Sequence, residues 1–316
     1  MTAQGASSAA ARKKNVFLRL KRDIFRNPYL YIMLLPVFAF YIIFHYMPMY
    51  GAVIAFKDFW PGDTIWGAKW VGLANFRDFF NAYYFWRLLR NTMLLSFYNI
   101  IFGFPAPIIL ALLLNEIHRK RFKKVVQTIT YLPHFISMVV TCSIILNFFS
   151  RTGLVNQILG MFGGEAIPFM ISPQYFRSIY VGSNIWQEVG WGSIIYIASL
   201  SRIDQELYEA CQIDGGGRLR QLISITIPGI APTIIIMLIL RVGRMMNIGH
   251  EKILLLYNSN TYETADIIST FVYRKGLMES NYSASAAIGL FNSVINFILL
   301  MTVNKISARV SETSLW

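Results

Sequence analysis

Residues 29–49 read YLYIMLLPVFAFYIIFHYMPM, a stretch without a single Asp, Glu, Lys or Arg. Crossing the hydrocarbon core takes about 20 predominantly apolar residues, so this stretch is long enough to span a bilayer. It is too long for the apolar core of a secretory signal, and no small-x-small cleavage pattern follows it. Of the 316 residues, 55% are hydrophobic and 14% charged, whereas a soluble domain carries about a quarter charged residues. Too little polar surface remains to solvate a globule. Five further apolar stretches are close to spanning length: 91–114, 129–149, 176–200, 230–248 and 284–303. The stretch 176–200 is interrupted by Asn184, Gln187 and Glu188, which are tolerated at membrane depth only when they face a bundle interior or a wet cavity. The expected fold is an all-α integral membrane protein of about six transmembrane helices. Its membrane domain covers 29–304, between an N-terminal segment 1–28 and a tail 305–316.

Basic residues orient this bundle. With the N-terminus inside, 17 Lys and Arg fall in inner segments and 10 in outer ones, although the outer segments are longer. That asymmetry places both termini in the cytoplasm and makes the number of spans even. It also accounts for the net charge of +13 without nucleic acid. Between Arg12 and Arg26, Val16, Phe17, Leu20, Ile24 and Phe25 alternate with basic residues, as in an amphipathic helix on an anionic leaflet. Outside, the region from Lys57 to Arg90 is rich in Trp, Phe and Tyr. Two stretches, Gly153 to Gly160 and Thr264 to Leu277, read as short helices on the outer face. Cys142 and Cys211 lie on different segments with no C-x-x-C spacing, which suits two unpaired thiols and no metal.

The loop at about 201–228 differs from the rest. Gln205 to Ile213 is a good helix former, Gly215, Gly216 and Gly217 break it, and Leu219 to Ile227 reads as a second short amphipathic helix ended by Pro228. Two short helices at a fixed angle make a knob that can fit a groove in another protein and pass its motion to the attached spans.

This loop resembles the EAA coupling loop of binding-protein-dependent ABC importer permeases of type I. The match runs through Glu209, Ala210, Asp214, Gly215, Ile225 and Pro228; it departs at Cys211, at Gly216 and Gly217, and at Ile227. Further segments resemble sugar permeases of the maltose-importer type: Gly72-Leu73-Ala74-Asn75-Phe76, Asn91-Thr92, Tyr131-Leu132-Pro133, and Thr264 through Tyr273. The runs Glu251 to Asn258 and Ser311 to Trp316 are similar to signatures of the lipoprotein-associated polysaccharide permeases. The resemblance covers nearly all of the chain after residue 28. It implies a second related permease in a heterodimer, two cytoplasmic ATPase subunits, an external solute-binding protein and an oligosaccharide or polysaccharide fragment as cargo, in a bacterial plasma membrane. ATP and Mg would be held by the ATPase chains, and no cofactor by this one. No G-x-x-x-x-G-K-[ST] loop occurs in the sequence, so no catalytic residue is expected here.

Several polar residues on the spans are candidates for the substrate path. Arg241 and Arg244 lie one turn apart on the fifth span, where they either line the translocation cavity and attract hydroxyl or carboxylate groups of a sugar, or form a structural pair with Glu188 or backbone carbonyls, or snorkel to the interface. Trp186, Gln187 and Trp191 on the fourth span, Asn247 on the fifth, and Asn292 and Asn296 on the sixth could form a sugar site. Interhelical hydrogen bonding is the competing role for the asparagines. Gly103, Pro105 and Pro107 suggest either a bent second span or close packing. Two other classes remain open. A secondary transporter would need a coupling carboxylate deep in a helix, for which Glu188 is the candidate. A membrane scaffold would use the knob without transport. A permease of the same kind for a non-sugar solute is the nearer alternative.

Overall fold

A computed structural model describes residues 26–310, together with Arg22 and Ser314. The expected amphipathic segment before residue 28 falls almost wholly outside the described residues. Two compact units are present, Met1–Ile54 and Ala55–Trp316. Most of helix α1 (Pro28–Phe56) belongs to the first unit, and the apolar window that qualifies it as a span has no buried residue. In water such a helix would be unstable; in lipid its solvent is the acyl chain.

The second unit opens with a small hairpin that the sequence did not announce. Strands β1 (Lys57–Asp58) and β2 (Lys69–Trp70) pair antiparallel, Lys57 opposite Trp70. Lys57 is buried because its ammonium donates to the carbonyls of Ile65 (2.7 Å) and Trp66 (3.2 Å) across the connection. The Asn75 amide, on α2 (Ala74–Asn81), donates to the carbonyls of Ala55 and Lys57, so the Gly-Leu-x-Asn-Phe segment clamps the hairpin to the next helix.

The bundle itself consists of α3 (Phe85–Asn115), α4 (Lys120–Phe135), α5 (Met138–Phe148), α6 (Leu154–Met161), α7 (Pro173–Leu200), α8 (Gln205–Ile213), α9 (Arg218–Val242), α10 (His250–Leu256), α11 (Tyr262–Ala265), α12 (Ile268–Tyr273) and α13 (Tyr282–Val310). All six stretches expected to span are largely helical. Four helices (α1, α3, α9 and α13) are long and apolar enough to cross by themselves. α7 is long enough but carries the polar residues noted above.

Three details differ from the sequence reading. The expected third span is not one rod: α4 and α5 meet at 104°. The cause is local, because Pro133 lies in a tight turn over Leu132–Phe135 and the Ser137 hydroxyl accepts the Val140 N–H, starting a new helix. The fifth span ends at Val242 rather than near residue 248, and a turn follows it. Pro228 does not end the second loop helix. It lies inside α9, which runs unbroken from the loop into the bundle.

Proline is accommodated in these helices by a recurring device. A widened π-turn occupies Ile42–Tyr46, Asn99–Gly103 and Leu222–Thr226, ending two residues before Pro48, Pro105 and Pro228 respectively. A helical proline lacks an N–H and its ring clashes with the carbonyl four residues back. Widening the ladder relieves the clash: Met47 and Ile227, each just before a proline, donate to Ile42 and Leu222, five residues back. The second span therefore stays continuous through Gly103 and Pro105.

Where helices cross, backbones touch. A Cβ on Gly190 of α7 would overlap the Thr130 carbonyl of α4, so α4 seats against the middle of α7 only because that residue is glycine.

Candidate functional site

Two adjoining hollows lie inside the second unit, of about 220 Å³ and 270 Å³. They share Asn99, Tyr180, Asn184, Arg241 and Gly249 and form one chamber of mixed polar and apolar lining. Each wall has a sequence origin. α3 contributes Asn99 at its π-turn, and a Cβ on Gly103 in the same turn would come within 3.8 Å of the Arg241 guanidinium. α7 contributes Tyr180, Asn184 and Glu188, spaced four apart on one helical face. Arg241 occupies the last turn of α9, and Arg244 and Asn247 follow it in the turn beyond, all three exposed towards the open side. The fourth wall is α10, through Lys252.

Lys252 is the residue that sequence reasoning missed. Its helix is seven residues long, too short to span, yet the side chain is only 2% exposed. The ammonium donates to Asn184 Oδ1 at 2.7 Å and Gln187 Oε1 at 3.4 Å and lies 5.9 Å from the Tyr180 ring centre. Gln187 sits about 20 Å from either end of α7 at 1.5 Å per residue. The lysine is therefore anchored at mid-depth. Among the described residues no carboxylate forms an ion pair with it, nor with Arg241 or Arg244. A Lys or Arg at the centre of a span costs about 3 kcal/mol or more when uncompensated; of the three cations in the chamber Lys252 is the buried one, and it calls for a compensating anion or water. Glu188 lies on the same wall as Asn184, and its carboxylate bonds the His134 imidazole at 3.3 Å.

The other proposed path residues are dispersed. Trp186 borders an apolar groove with Ile144 and Phe148 rather than the chamber. Trp191 stacks on His134 with centroids 4.5 Å apart. Asn292 and Asn296 fasten the turn after α9: Asn296 Oδ1 accepts the Met246 N–H at 2.9 Å, and Asn292 donates to the Met246 carbonyl and, at 2.7 Å, to Asn247 Oδ1. They hold Asn247 in place without lining the hollows themselves.

A second constellation explains two of the motifs. Asp266 is fully buried, and Arg274 grips it with two bonds of 2.9 and 2.8 Å; Arg87 approaches at 3.4 Å. The Asn91 amide donates to the carbonyls of Glu263 and Asp266 and accepts from Arg177, while the Thr92 hydroxyl accepts the Ile268 N–H. The Asn-Thr pair of α3 and the Thr-Ala-Asp-Ile-Ile segment are thus two halves of one joint, which ties α3, α7 and α12 together.

The loop between α7 and α9 is built as a rigid knob. Asp204 caps α8 by accepting the Glu206 N–H, and Gly215 turns the chain at φ +76°. The Gly216 N–H then donates to the Cys211 carbonyl at 2.8 Å, with Gly216 packed so tightly under Cys211 that a Cβ would collide with it. The Tyr208 hydroxyl meets the Thr226 hydroxyl at 3.0 Å, locking α8 to the π-turn of α9. Glu209, Ala210, Asp214 and Pro228 are exposed, and so are Leu207, Ile213 (87%) and Leu219.

Residues 103–312 match the family of binding-protein-dependent transport system inner membrane components. The chain belongs to that family. Among relatives of this permease, Protein LplB of Bacillus subtilis is 44% identical over 92% of both chains. The polygalacturonan/rhamnogalacturonan transport system permease protein YteP of the same organism is 41% identical over 98% of this chain and 97% of its own. The permease also superimposes on a chain of a bacterial alginate ABC transporter, solved in complex with an alginate pentasaccharide-bound periplasmic protein. The TM-score there is 0.87 at 42% identity, over 94% of this chain and all of the other. This chain is therefore a multi-pass membrane permease subunit of an ABC importer and not an enzyme.

Proposed function

We propose that this permease forms half of the pathway by which an oligosaccharide enters the cell, driven by ATP hydrolysis on partner subunits. One observation carries the reading: the two helices that flank the exposed knob, α7 and α9, both line the chamber. A push on α8 is transmitted through the Tyr208–Thr226 contact and the Ser199–Thr233 hydroxyl pair (2.9 Å) to the helices bearing Asn184 and Arg241. The exposed apolar residues of the knob suit a groove on a cytoplasmic ATPase, with Glu209 and Gly215 in the docking loop. The open side of the chamber suits a second, related permease. The outer short helices suit a loaded solute-binding protein, with both termini of this chain in the cytoplasm. The names of the relatives support a saccharide cargo, and the polar lining of Asn, Tyr and Arg offers the hydrogen bonds a sugar needs. ATP and Mg belong to the ATPase subunits in this scheme.

The test is uptake into proteoliposomes holding the assembled importer and its binding protein. Oligosaccharide uptake is expected to require enclosed ATP and to survive a protonophore. Uptake without ATP that a protonophore abolishes would establish secondary transport instead.

A further inference from the structure

We propose that Lys252 is a specificity-determining residue that engages carboxylate groups of the cargo at the middle of the pathway, making this a permease for acidic oligosaccharides. The inference rests on the saccharide reading above and adds the charge of the sugar and the residue that reads it.

The argument begins with an imbalance. Lys252, Arg241 and Arg244 line one chamber, and no carboxylate pairs with any of them among the described residues. Glu188, on the same wall, is turned to His134. Glu251, next in sequence, is exposed and makes no ion pair among the described residues. A lysine recruited only to fasten α10 to α7 could be replaced by a neutral donor, since both its partners are amide oxygens. Keeping a full charge there is costly in a low-dielectric site unless an anion or water compensates it. Of its three N–H donors, two are met by Asn184 and Gln187, which leaves one for a ligand. The arginines sit on the exposed side of the chamber and the lysine on its buried side. An acidic sugar chain passing inward would meet a fork suited to carboxylate first and a point charge second.

The experiment compares two sugars across three permeases in the complete importer with its unaltered binding protein. One sugar is an acidic oligosaccharide; the other is the same chain with carboxylates reduced to primary alcohols. Lys252→Gln removes the charge while keeping N–H donors for Asn184 and Gln187, and Lys252→Arg keeps the charge. Rates are taken at limiting sugar and normalised to assembled complex, so binding-protein preference weighs equally on every permease. The expected result is that Lys252→Gln lowers uptake of the acidic sugar about tenfold and of the reduced sugar less than about twofold, with Lys252→Arg restoring most of the difference. Equal losses for both sugars, or no loss for either, would overturn the inference and leave Lys252 as a structural peg. A wild-type importer that takes up reduced sugar as fast as acidic would overturn it too, with saccharide import intact. Uptake of neither sugar by the wild type would reject the function itself.

Discussion

Asp266 shows how much can hang on one side chain. It has no exposed surface, and it is the shared counter-charge for Arg274 and Arg87. Asp266→Asn would leave two guanidiniums facing a neutral amide; breaking a buried pair from one side costs about 3–5 kcal/mol. The expected outcome is a drop in assembled permease and in its melting temperature in detergent, with residual uptake falling in step with abundance. Unchanged thermal stability would show that this joint is dispensable. The importance of this region was legible in the sequence as paired motifs, Asn91-Thr92 and Thr264 to Ile268, although only the fold shows that they bond to each other. Lys252 was not legible, because hydropathy and the count of basic residues treat a seven-residue helix as loop. Arg241 and Arg244 stood out because they interrupt a long apolar run. The asparagines Asn292 and Asn296 share one face as their spacing required, yet spacing cannot say whether a face meets cargo or a neighbouring backbone.

At the level of elements, the knob was readable because helix formers, three glycines and a proline are local signals. What was misread is continuity. A proline inside a helix is ordinarily a stop, and here the π-turn over Leu222–Thr226 removes the clash and lets α9 continue. That continuity makes the loop a lever, and it sets a prediction. Gly215 adopts φ +76°, a conformation that costs a non-glycine residue roughly 1–2 kcal/mol, with open space around its missing Cβ. Gly215→Val should therefore misplace α8 without unfolding the bundle. Uptake is expected to fall by about tenfold or more, while the complex still assembles and still binds loaded binding protein. Glu209→Ala, exposed on the same helix, should give the same uncoupled phenotype. Normal uptake together with normal sugar-stimulated ATPase activity in both variants would remove the knob from the coupling path. The break between α4 and α5 was hidden for the opposite reason: hydropathy is blind to direction, and a run of apolar residues reads alike whether it is straight or turned through 104°.

For the whole molecule, solvent replaces the usual logic of inside and outside. Large apolar side chains such as Phe122, Ile129, Val139 and Phe297 are exposed, while Asn91, Thr92, Asn99, Gln187 and Lys252 are buried. This inversion is expected when the surrounding medium is hydrocarbon and polar groups must find partners in the bundle. It fixes that the chain spans a membrane but not which way round; orientation rests on the basic residues, which favour the cytoplasm for the α8 loop and the outside for 257–283, the stretch beyond the helix that carries Lys252 into the bundle. The native thiols make the test direct. Cys142 is buried in the core, whereas Cys211 is half-exposed in the loop, so one endogenous probe already marks the proposed inner face. Ser259→Cys, in the turn between α10 and α11, adds a probe for the other. An impermeant maleimide applied to intact cells (outer-membrane-permeabilised if they have one) should label Ser259→Cys and leave Cys211 unreacted until the plasma membrane is opened. Labelling of Cys211 but not of residue 259 would turn the molecule over and detach the knob from any cytoplasmic ATPase. Labelling of both from outside would put α8 and the 259 turn on one face, which the continuous run of α9 between them forbids if it crosses the membrane once.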